Sequence, residues 1–483
     1  MKIKKYLDNL RKMKIGILGY GIENRALAKW LIDNKVEDMT ICDKNSKLKT
    51  QILKLQLKTK NFKFRLGEEY LDNLDKFDVV FRTPGISPLK KQLIKAKKRG
   101  VEISSQIKLF FDLCPAKIIG VTGTKGKGTT TSLIYEILKF NQLQIANSKQ
   151  LKKSQVFLGG NIGTPPLMFL DKLTENDIVV LELSSFQLHD LEKSPNIAVI
   201  LDIKLDHLDY HKNRSEYVKA KKNIVKFQKK DDFVVVNMDY LTSFEFGAVS
   251  PASNILYFSR KKFVDLGAYV RWDKDLKNGK IILNTLEKTY FICKTTEVTL
   301  KGRHNLENIC AAITASFVAG AKINTIKKIV AKFKGLEHRL EFVNEINGVK
   351  YYNDSFSTTP ETTIAAIKSF TEPIVLIVGG SEKGSDYSEL GKEIVNACVK
   401  TVIAIGLTGK KIIKSIKQNN KLTKKQIKII QNCKNMKDII NTAKKEANSG
   451  DVVILSPASA SFDMFKNYKD RGDQFKDRVK KII

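Results

Sequence analysis

Apolar residues along this chain fall into short unbroken runs. Each run is closed by Gly, Ser or Asp, and most are followed by a stretch of helical periodicity. The runs are IGILGYG (15–21), FDVVFRTPG (77–85), KIIGVTG (117–123), DIVVLELSS (177–185), NIAVILDI (196–203), PIVLIVGG (373–380), TVIAIG (401–406) and DVVILSP (451–457). An unbroken apolar run predicts a strand buried on both faces, and strands alternating with helices predict parallel sheets. Ligands of such sheets sit beyond the carboxyl ends of the strands, which is where Gly, Ser, Asp and His collect here. The expected fold class is α/β, with three domains, each on a mostly parallel sheet flanked by helices. The expected blocks are 1–112, 113–334 and 335–483. Between 242 and 300 the pieces NILYFS, AYVRW, KIILNT and TYFIC predict antiparallel hairpins added to the central block.

At 483 residues the length fits about three domains. The net charge is +34, which raises nucleic acid, membrane surface and anionic small substrates as partners. Lysine is spread over the whole chain, however, with no basic tail and no basic stripe interleaved with aromatics. Solvated helix faces account for it better than a nucleic-acid site. Cysteines stand at 42, 114, 293, 310, 398 and 433 with no C-x-x-C pair. They read as buried or half-buried thiols in a reducing compartment, neither a disulfide framework nor a zinc site. The N-terminus MKIKKYLDNLRKMK has no apolar core for a signal peptide. The small-residue run 310–321 is too short to span a membrane and fits a buried helix. A soluble cytoplasmic protein without membrane insertion is expected.

The stretch VTGTKGKGTTT (121–131) joins a strand to a helix with apolar Leu133, Ile134, Ile137 and Leu138 at helical spacing. Gly123, Gly126 and Gly128 let backbone N–H groups turn onto an anion, and the helix N-terminus adds partial positive charge. Lys127 can reach β- and γ-phosphates. The spelling departs from G-x-x-x-x-G-K-[ST]: Val121 replaces the early glycine, and Gly128 the hydroxyl that normally meets Mg²⁺. Thr129 or Thr130 can supply that hydroxyl one residue later or beyond. Nucleotide contacts are expected from Gly123, Thr124, Lys125, Gly126, Lys127, Gly128, Thr129 and Thr130. Near the N-terminus, GYGIENRA (19–26) keeps two glycines of a Rossmann-like fingerprint, and Asp43 ends the next strand at the place of an acidic ribose contact. Alone, this segment is compatible with a nicotinamide-dependent dehydrogenase.

Further polar motifs stand at strand ends: GGNIGTPP (159–166), LELSSFQL (181–188), LDIKLDHLDYH (201–211), EYVKAKKNI (216–224), LKGRHNLENICAA (300–312), GLEHRLEFV (335–343), YYNDSFSTTP (351–360), GGSEKGSDY (379–387) and SPASASFDMFKNYKDRGDQF (456–475). In this order, with the phosphate loop, they resemble the Mur ligases, ATP-dependent amide-forming enzymes of peptidoglycan precursor synthesis. The resemblance covers nearly the whole chain. The closing SPASAS motif is similar to the branch that adds D-glutamate to UDP-N-acetylmuramoyl-L-alanine. The D-N-P-R motif of the diamino-acid-adding branch is lacking. The TGTKGKG spelling is closer to folylpolyglutamate synthase, but the N-terminal block and SPASAS argue against folate. A phosphate-loop ATPase binding nucleic acid is the alternative from another class; it would need no glutamate pocket.

The resemblance implies Rossmann-like N- and C-terminal domains around a phosphate-loop domain, a monomer, and domain closure over substrates. It implies phosphoryl transfer from ATP to a substrate carboxylate, then attack on the acyl phosphate by the amine of D-glutamate. Two Mg²⁺ ions are implied: Glu182 and Thr129 match one site, His207 the second. Lys221, four residues after Tyr217, matches a lysine carbamylated by CO₂ that also holds the second ion; Lys219 and Lys222 lie at the wrong spacing. Asn161 and His207 match contacts to the nucleotide-sugar substrate, with Gly19, Gly21, Asp43, Thr83, Pro84 and Gly85 lining the UDP end. Asn305 and Asn308 match positions near adenine. His338, Arg339 and Asp354 match residues that close over ATP, with Asp354 on the ribose hydroxyls. Thr358, Lys383, Ser461 and Tyr468 match the glutamate pocket. Two departures stand out: Tyr468 where Phe is frequent, and Phe356 where many relatives carry Lys.

Overall fold

The computed structural model describes residues 2–48, 62–148, 154–204, 210–252, 254–276, 278–300, 302–382, 384–423 and 426–482. His207 and Lys383 lie outside them. The apolar runs form strands of three α/β sheets, and the chain divides into two compact units: Met1–Thr296 with Glu307–Val330, and Glu297–Leu306 with Ala331–Ile483.

The first unit holds two sheets. One joins β1 (Ile15–Leu18), β2 (Met39–Asp43), β3 (Phe62–Leu66), β4 (Val79–Arg82) and β5 (Glu102–Ser104). Its order is β3-β2-β1-β4-β5, parallel throughout, the arrangement of a dinucleotide-binding half. The other joins β6 (Lys117–Thr122), β7 (Val156–Gly160), β8 (Ile178–Glu182), β9 (Ile197–Ile200), β10 (Phe233–Asn237), β11 (Asn254–Ser259), β12 (Gly267–Trp272), β13 (Gly279–Asn284) and β14 (Thr289–Lys294). Its order is β14-β13-β12-β11-β10-β9-β6-β8-β7. The strand that feeds the phosphate loop, β6, therefore lies inside the sheet. The helix behind the loop, Lys127–Ser148, buries Leu133, Ile134, Ile137 and Leu138, the face read from their spacing.

The expected hairpins of 242–300 are only partly found. β12, β13 and β14 are antiparallel, but β11 runs parallel to both β10 and β12. A short link suffices because β12 starts halfway along β11, with Gly267 beside Tyr257. The chain steps back by part of a strand rather than a full one. Gly267, at φ +125°, permits this: a Cβ there would fall 1.8 Å from the Tyr257 carbonyl oxygen.

The second unit holds β15 (Glu341–Ile346), β16 (Val349–Asn353), β17 (Ile374–Gly379), β18 (Val399–Ile405), β19 (Lys428–Ile430) and β20 (Val452–Leu455). The order is β15-β16-β20-β17-β18-β19, parallel except for the β15–β16 hairpin. Asn347 and Gly348 close that hairpin, both at positive φ, as a tight Asn-Gly turn requires. In β17, Ile374, Leu376 and Val378 enter one core and Val375 and Ile377 the other. Each fully buried aliphatic of this kind contributes about 1.5–3 kcal/mol, and two cores explain why the run has no polar alternation.

All six cysteines are free thiols. Cys398 corrects the expectation of burial: it is exposed, in the turn leading into β18, where its backbone carbonyl is held by Ile374 N–H. Among the described residues no helix is long and apolar enough to cross a membrane.

Candidate active site

The phosphate loop is shaped by glycine. Gly123 and Gly126 take φ of +156° and +84°. A Cβ on Gly126 would lie 2.2 Å from Asn308 Oδ1, so only glycine lets Asn308 close on the loop. The three threonines that open the helix are separated by their hydroxyl bonds. Thr130 Oγ1 donates to Asn308 Oδ1 at 3.4 Å, and Thr131 Oγ1 to Lys127 O at 2.7 Å, one turn back. Thr130 is thus turned to Asn308, and Thr129 is buried beside it. Thr124 serves the scaffold: its hydroxyl meets Lys204 N at 2.8 Å and Tyr217 Oη at 3.0 Å. Lys125 is exposed.

Two lysines converge on the loop's neck. Lys127 Nζ donates to Gly123 O at 3.1 Å and Thr124 O at 3.0 Å. Lys221 arrives from the helix Arg214–Lys226, is 1% exposed, and donates to the same Gly123 O at 3.0 Å and to Thr122 Oγ1 at 3.2 Å. Its ammonium also lies 4.9 Å from the centre of the Tyr217 ring, the residue one turn earlier. Sharing one carbonyl puts the two Nζ atoms within about 6 Å, a repulsion of about 3 kcal/mol at an effective dielectric of 20.

Glu182 ends β8 in register with Val121, immediately before the loop. Its Oε1 accepts from Asn161 Nδ2 at 2.9 Å, so Glu182 and Asn161 form one corner of the site. The neighbouring SSFQ residues are structural. Ser184 and Gln187 form a capping box on the short helix Ser185–Leu188, and Gln187 Nε2 donates to Glu23 Oε1 at 2.7 Å. Burial pushes the Glu23 carboxyl up to about 7.

At the carboxyl end of the first sheet, Gly19 N–H meets Cys42 O and Thr83 N–H meets Leu18 O, each at 2.8 Å. Gly19 has φ +78°, and a Cβ there would strike Thr83 Cγ2 at 2.5 Å. Asp43 accepts from Tyr20 N–H at 2.7 Å and Asn45 N–H at 2.8 Å. Gly21 stands just before the helix Ile22–Asp33. Gly19, Gly21, Asp43 and Thr83 are thus brought to one strand-end surface, with Pro84 and Gly85 next in the turn. Sequence reasoning missed Asn24 here, and missed the structural part of Arg82, which opens the RTPGIS turn (82–87) expected to line the UDP end. Asn24 Nδ2 ties Leu18, Gly19 and Phe81 carbonyls together. Arg82, fully buried, reaches Asp190 Oδ2 at 2.9 Å and Phe186 O at 3.2 Å. A charged residue ending the apolar strand VVFR was the available signal.

In the second unit, His338 is buried at φ +63°. Its Nδ1 accepts from Asn353 Nδ2 at 2.9 Å, and burial lowers its pKa, so the ring is neutral with the proton on Nε2. Asp354 is 2% exposed; Oδ1 accepts from Leu340 N–H at 3.0 Å and Oδ2 from Ser456 Oγ at 2.7 Å. Each oxygen already holds a protein donor. Burial raises this carboxyl to about 6. The RG pair of the final helix, Tyr468–Lys480, is explained by its surroundings. Arg471 donates to Ser355 O at 2.9 Å and to Ser459 O and Ala460 O at 3.2–3.3 Å, stitching SPASAS to the NDSFS turn. Burial pushes its guanidinium down to about 10. A Cβ on Gly472 would lie 2.2 Å from His338 Nδ1. Ser461 is buried at the end of SPASAS, and Tyr468 packs edge-on against His338 and Phe356. Thr358 is half-buried beyond the same NDSFS turn. Asn305, buried, shares the helix Arg303–Val318 with Asn308.

Family models match three consecutive parts of the chain: the MurD N-terminal domain over residues 14–92, the Mur ligase middle domain over 121–316, and the Mur ligase glutamate ligase domain over 338–459. The UDP-N-acetylmuramoylalanine–D-glutamate ligase of Acetivibrio thermocellus is 41% identical over 482 residues, covering 100% of this chain and 99% of the relative. The ligase of the same name from Ruminiclostridium cellulolyticum is 39% identical, with the same coverage. The chain belongs to the D-glutamate-adding branch of the Mur ligases.

Two solved Mur ligases share the fold. UDP-N-acetylmuramate–alanine ligase from Thermotoga maritima superposes with a TM-score of 0.58 at 18% identity, over 97% of this chain and 99% of that one. The MurF ligase of the same organism gives 0.58 at 18%, over 97% and 95%. Against this Mur ligase background, the Phe356 departure has a structural counterpart. Phe356 is 41% exposed, and the Arg339 guanidinium lies over its ring, 4.4 Å from the centroid. A cation therefore lies beside residue 356 although residue 356 does not carry it.

Proposed function

We propose that this chain joins D-glutamate to UDP-N-acetylmuramoyl-L-alanine at the expense of ATP, in peptidoglycan precursor synthesis. Membership of the branch supports the substrates; the convergence of Lys127 and Lys221 on Gly123 O carries the mechanism. The alanyl carboxylate attacks the γ-phosphorus, the bond to the β-phosphate oxygen breaks, and ADP leaves. The amine of D-glutamate then attacks the acyl phosphate carbon, a C–N bond forms, and phosphate and a proton depart. Both reactants of the first step are anions, so fixed positive charge and loop N–H groups must offset their repulsion. Lys127, held against the loop by two carbonyls, stands ready to turn onto the phosphates.

The donors near the loop suit Mg²⁺, which prefers oxygen ligands: the Glu182 carboxylate, kept in place by Asn161, and the Thr129 hydroxyl. His207 and carbamylated Lys221 are assigned to a second ion. Bound Mg²⁺ would neutralise charge on the transferring phosphoryl group. At Lys221, the ammonium first gives up a proton; the amine nitrogen then bonds the carbon of CO₂ and a second proton is released, so that a cation becomes an anion. That change converts the repulsion between Lys127 and Lys221 into attraction, which supports the assignment. Asn161 with Gly19, Gly21, Asp43 and the Thr83–Gly85 turn are assigned to the nucleotide sugar. Asn305, Asn308, His338, Arg339 and Asp354 are assigned to ATP, and Thr358, Lys383, Ser461 and Tyr468 to glutamate. The boundaries near 112 and 334, a monomer and a cytoplasmic location belong to the same proposal.

Phosphate release measured with several UDP-sugars and both glutamate enantiomers tests the reading. Release requiring UDP-N-acetylmuramoyl-L-alanine and D-glutamate together is expected. Equal turnover with L-glutamate, or stimulation by DNA or RNA instead, would contradict it. Within the site, Lys221→Ala is expected to lose most turnover; unchanged turnover would sink its assignment.

A further inference from the structure

Two imidazoles and a carboxylate with no assigned part in phosphoryl transfer converge in the first unit. His211 Nδ1 lies 3.2 Å from Glu216 Oε1, and His189 Nε2 lies 3.6 Å from the same oxygen. One ligand atom from each residue lies within 4.8 Å of the others. The imidazoles stack at 5.5 Å and 30°, so nitrogens on both rings face one carboxylate. Local structure fixes all three positions. His189 follows the capped helix Ser185–Leu188, and Glu216 sits in the first turn of Arg214–Lys226, whose cap Asn213 accepts from the Glu216 N–H. His211 lies just before that cap.

We infer that His189, His211 and Glu216 form a binding site for a transition-metal dication of the zinc class. Four-coordinate zinc at about 2.0–2.1 Å from N and O ligands separates them by about 3.3 Å. Two sides of the observed triangle, 3.2 and 3.6 Å, are already near that value, and the third lies within 4.8 Å. His211 Nε2 lies 3.0 Å from Ser185 Oγ. That contact holds the ring in place, and a metal bound at Nδ1 would displace the proton that Nδ1 shares with Glu216 Oε1. The His189 Nδ1 atom is buried with no hydrogen-bond partner. Burial lowers the pKa of this ring, aided by Arg82 and against the pull of Glu216. Neutral imidazole is the form that binds metal. The site has access to solvent, because the His189 and Glu216 side chains keep 11% and 15% of their surface exposed. Water would complete the coordination. The donor set separates this site from Mg²⁺: two nitrogens and one carboxylate suit Zn²⁺, Co²⁺ or Ni²⁺, whereas Mg²⁺ prefers a shell made mostly of oxygen.

The same contacts could serve only as a hydrogen-bonded clamp between the two helices, and metal binding decides between the two. The full chain is dialysed against Zn²⁺ in excess Mg²⁺, and Co²⁺ is then added to metal-free protein and its visible spectrum recorded. Binding of about one Zn²⁺ per chain and a d–d band of a low-coordinate nitrogen–oxygen site are expected. His189→Ala and Glu216→Gln should each weaken binding at least about tenfold, and Ser185→Ala about tenfold through His211. The chain has five histidines, so a surface site elsewhere is separable. Zinc retained by the His189→Ala/His211→Asn double variant would overturn the inference. So would a wild-type chain showing no Co²⁺ band, a result that requires no variant to fold. Neither outcome bears on the ligase reading, which is measured by turnover in Mg²⁺ alone.

Discussion

Replacing Gly472 with alanine puts a methyl group where His338 already stands. The new Cβ would lie 2.2 Å from His338 Nδ1, 2.9 Å from its Cε1 and 3.0 Å from Asn353 Nδ2. The imidazole cannot simply swing aside, because Asn353 holds Nδ1 and the backbone at 338 is left-handed. Overpacking of this size costs about 1–3 kcal/mol. Breaking the Asn353 bond adds about 1 kcal/mol, and alanine returns about 1 kcal/mol over glycine inside a helix. The net is a loss of about 1–3 kcal/mol. For a domain of about 150–250 residues that lowers Tm by about 2–12 °C. The assay is thermal unfolding of Gly472→Ala, His338→Ser and the double variant, following the transition of the second unit. In the His338→Ser background the alanine should be neutral or stabilising, since its obstacle is gone. A Gly472→Ala chain as stable as the parent, or an equal penalty in both backgrounds, would mean that His338 is not the obstacle.

Thr129→Val should weaken use of Mg²⁺-ATP far more than Thr131→Val, read as the apparent KM for ATP at limiting Mg²⁺. The reason is that Thr131 spends its hydroxyl on Lys127 O. Asp190→Ala leaves the buried Arg82 guanidinium without its carboxylate, and should cost about 3–5 kcal/mol in urea unfolding; adding Arg82→Met should recover part of that. Asp354 has a folded pKa raised from 3.8 to about 6. The unfolded chain therefore releases this proton first. The contribution to stability is full below pH 3.8 and lost as pH rises through about 6. Asp354→Asn should flatten the stability profile across that window.

The unbroken runs made β1, β4, β6, β8, β9, β17, β18 and β20 legible, because both faces of each are buried. β3, β7 and β15 were less visible. FKFRL, VFLGG and EFVNEI are edge strands, largely half-buried, so their pattern carries little apolar signal. The parallel entry of β11 beside β12 was hidden by a short link that only Gly267 makes possible. Motif order singled out the phosphate loop, Glu182 and Lys221, but not what packs against them. Nothing in the spelling says that Lys127 and Lys221 share one carbonyl. Nor does it say that Asn308 replaces a side chain at Gly126, or that Arg339 covers Phe356. Those relations exist only once the chain is folded. Arg471 and Gly472 were visible as letters of a motif; their reasons, a stitched loop and room for His338, were not.

On the proposed route, phosphate is transferred to the alanyl carboxylate before the amide forms. Labelling that carboxylate with ¹⁸O and analysing the released phosphate by mass spectrometry tests it most directly. One labelled oxygen in each phosphate is expected, because the C–O bond of the acyl phosphate breaks when the amine attacks. Unlabelled phosphate, or label appearing in AMP, would contradict it.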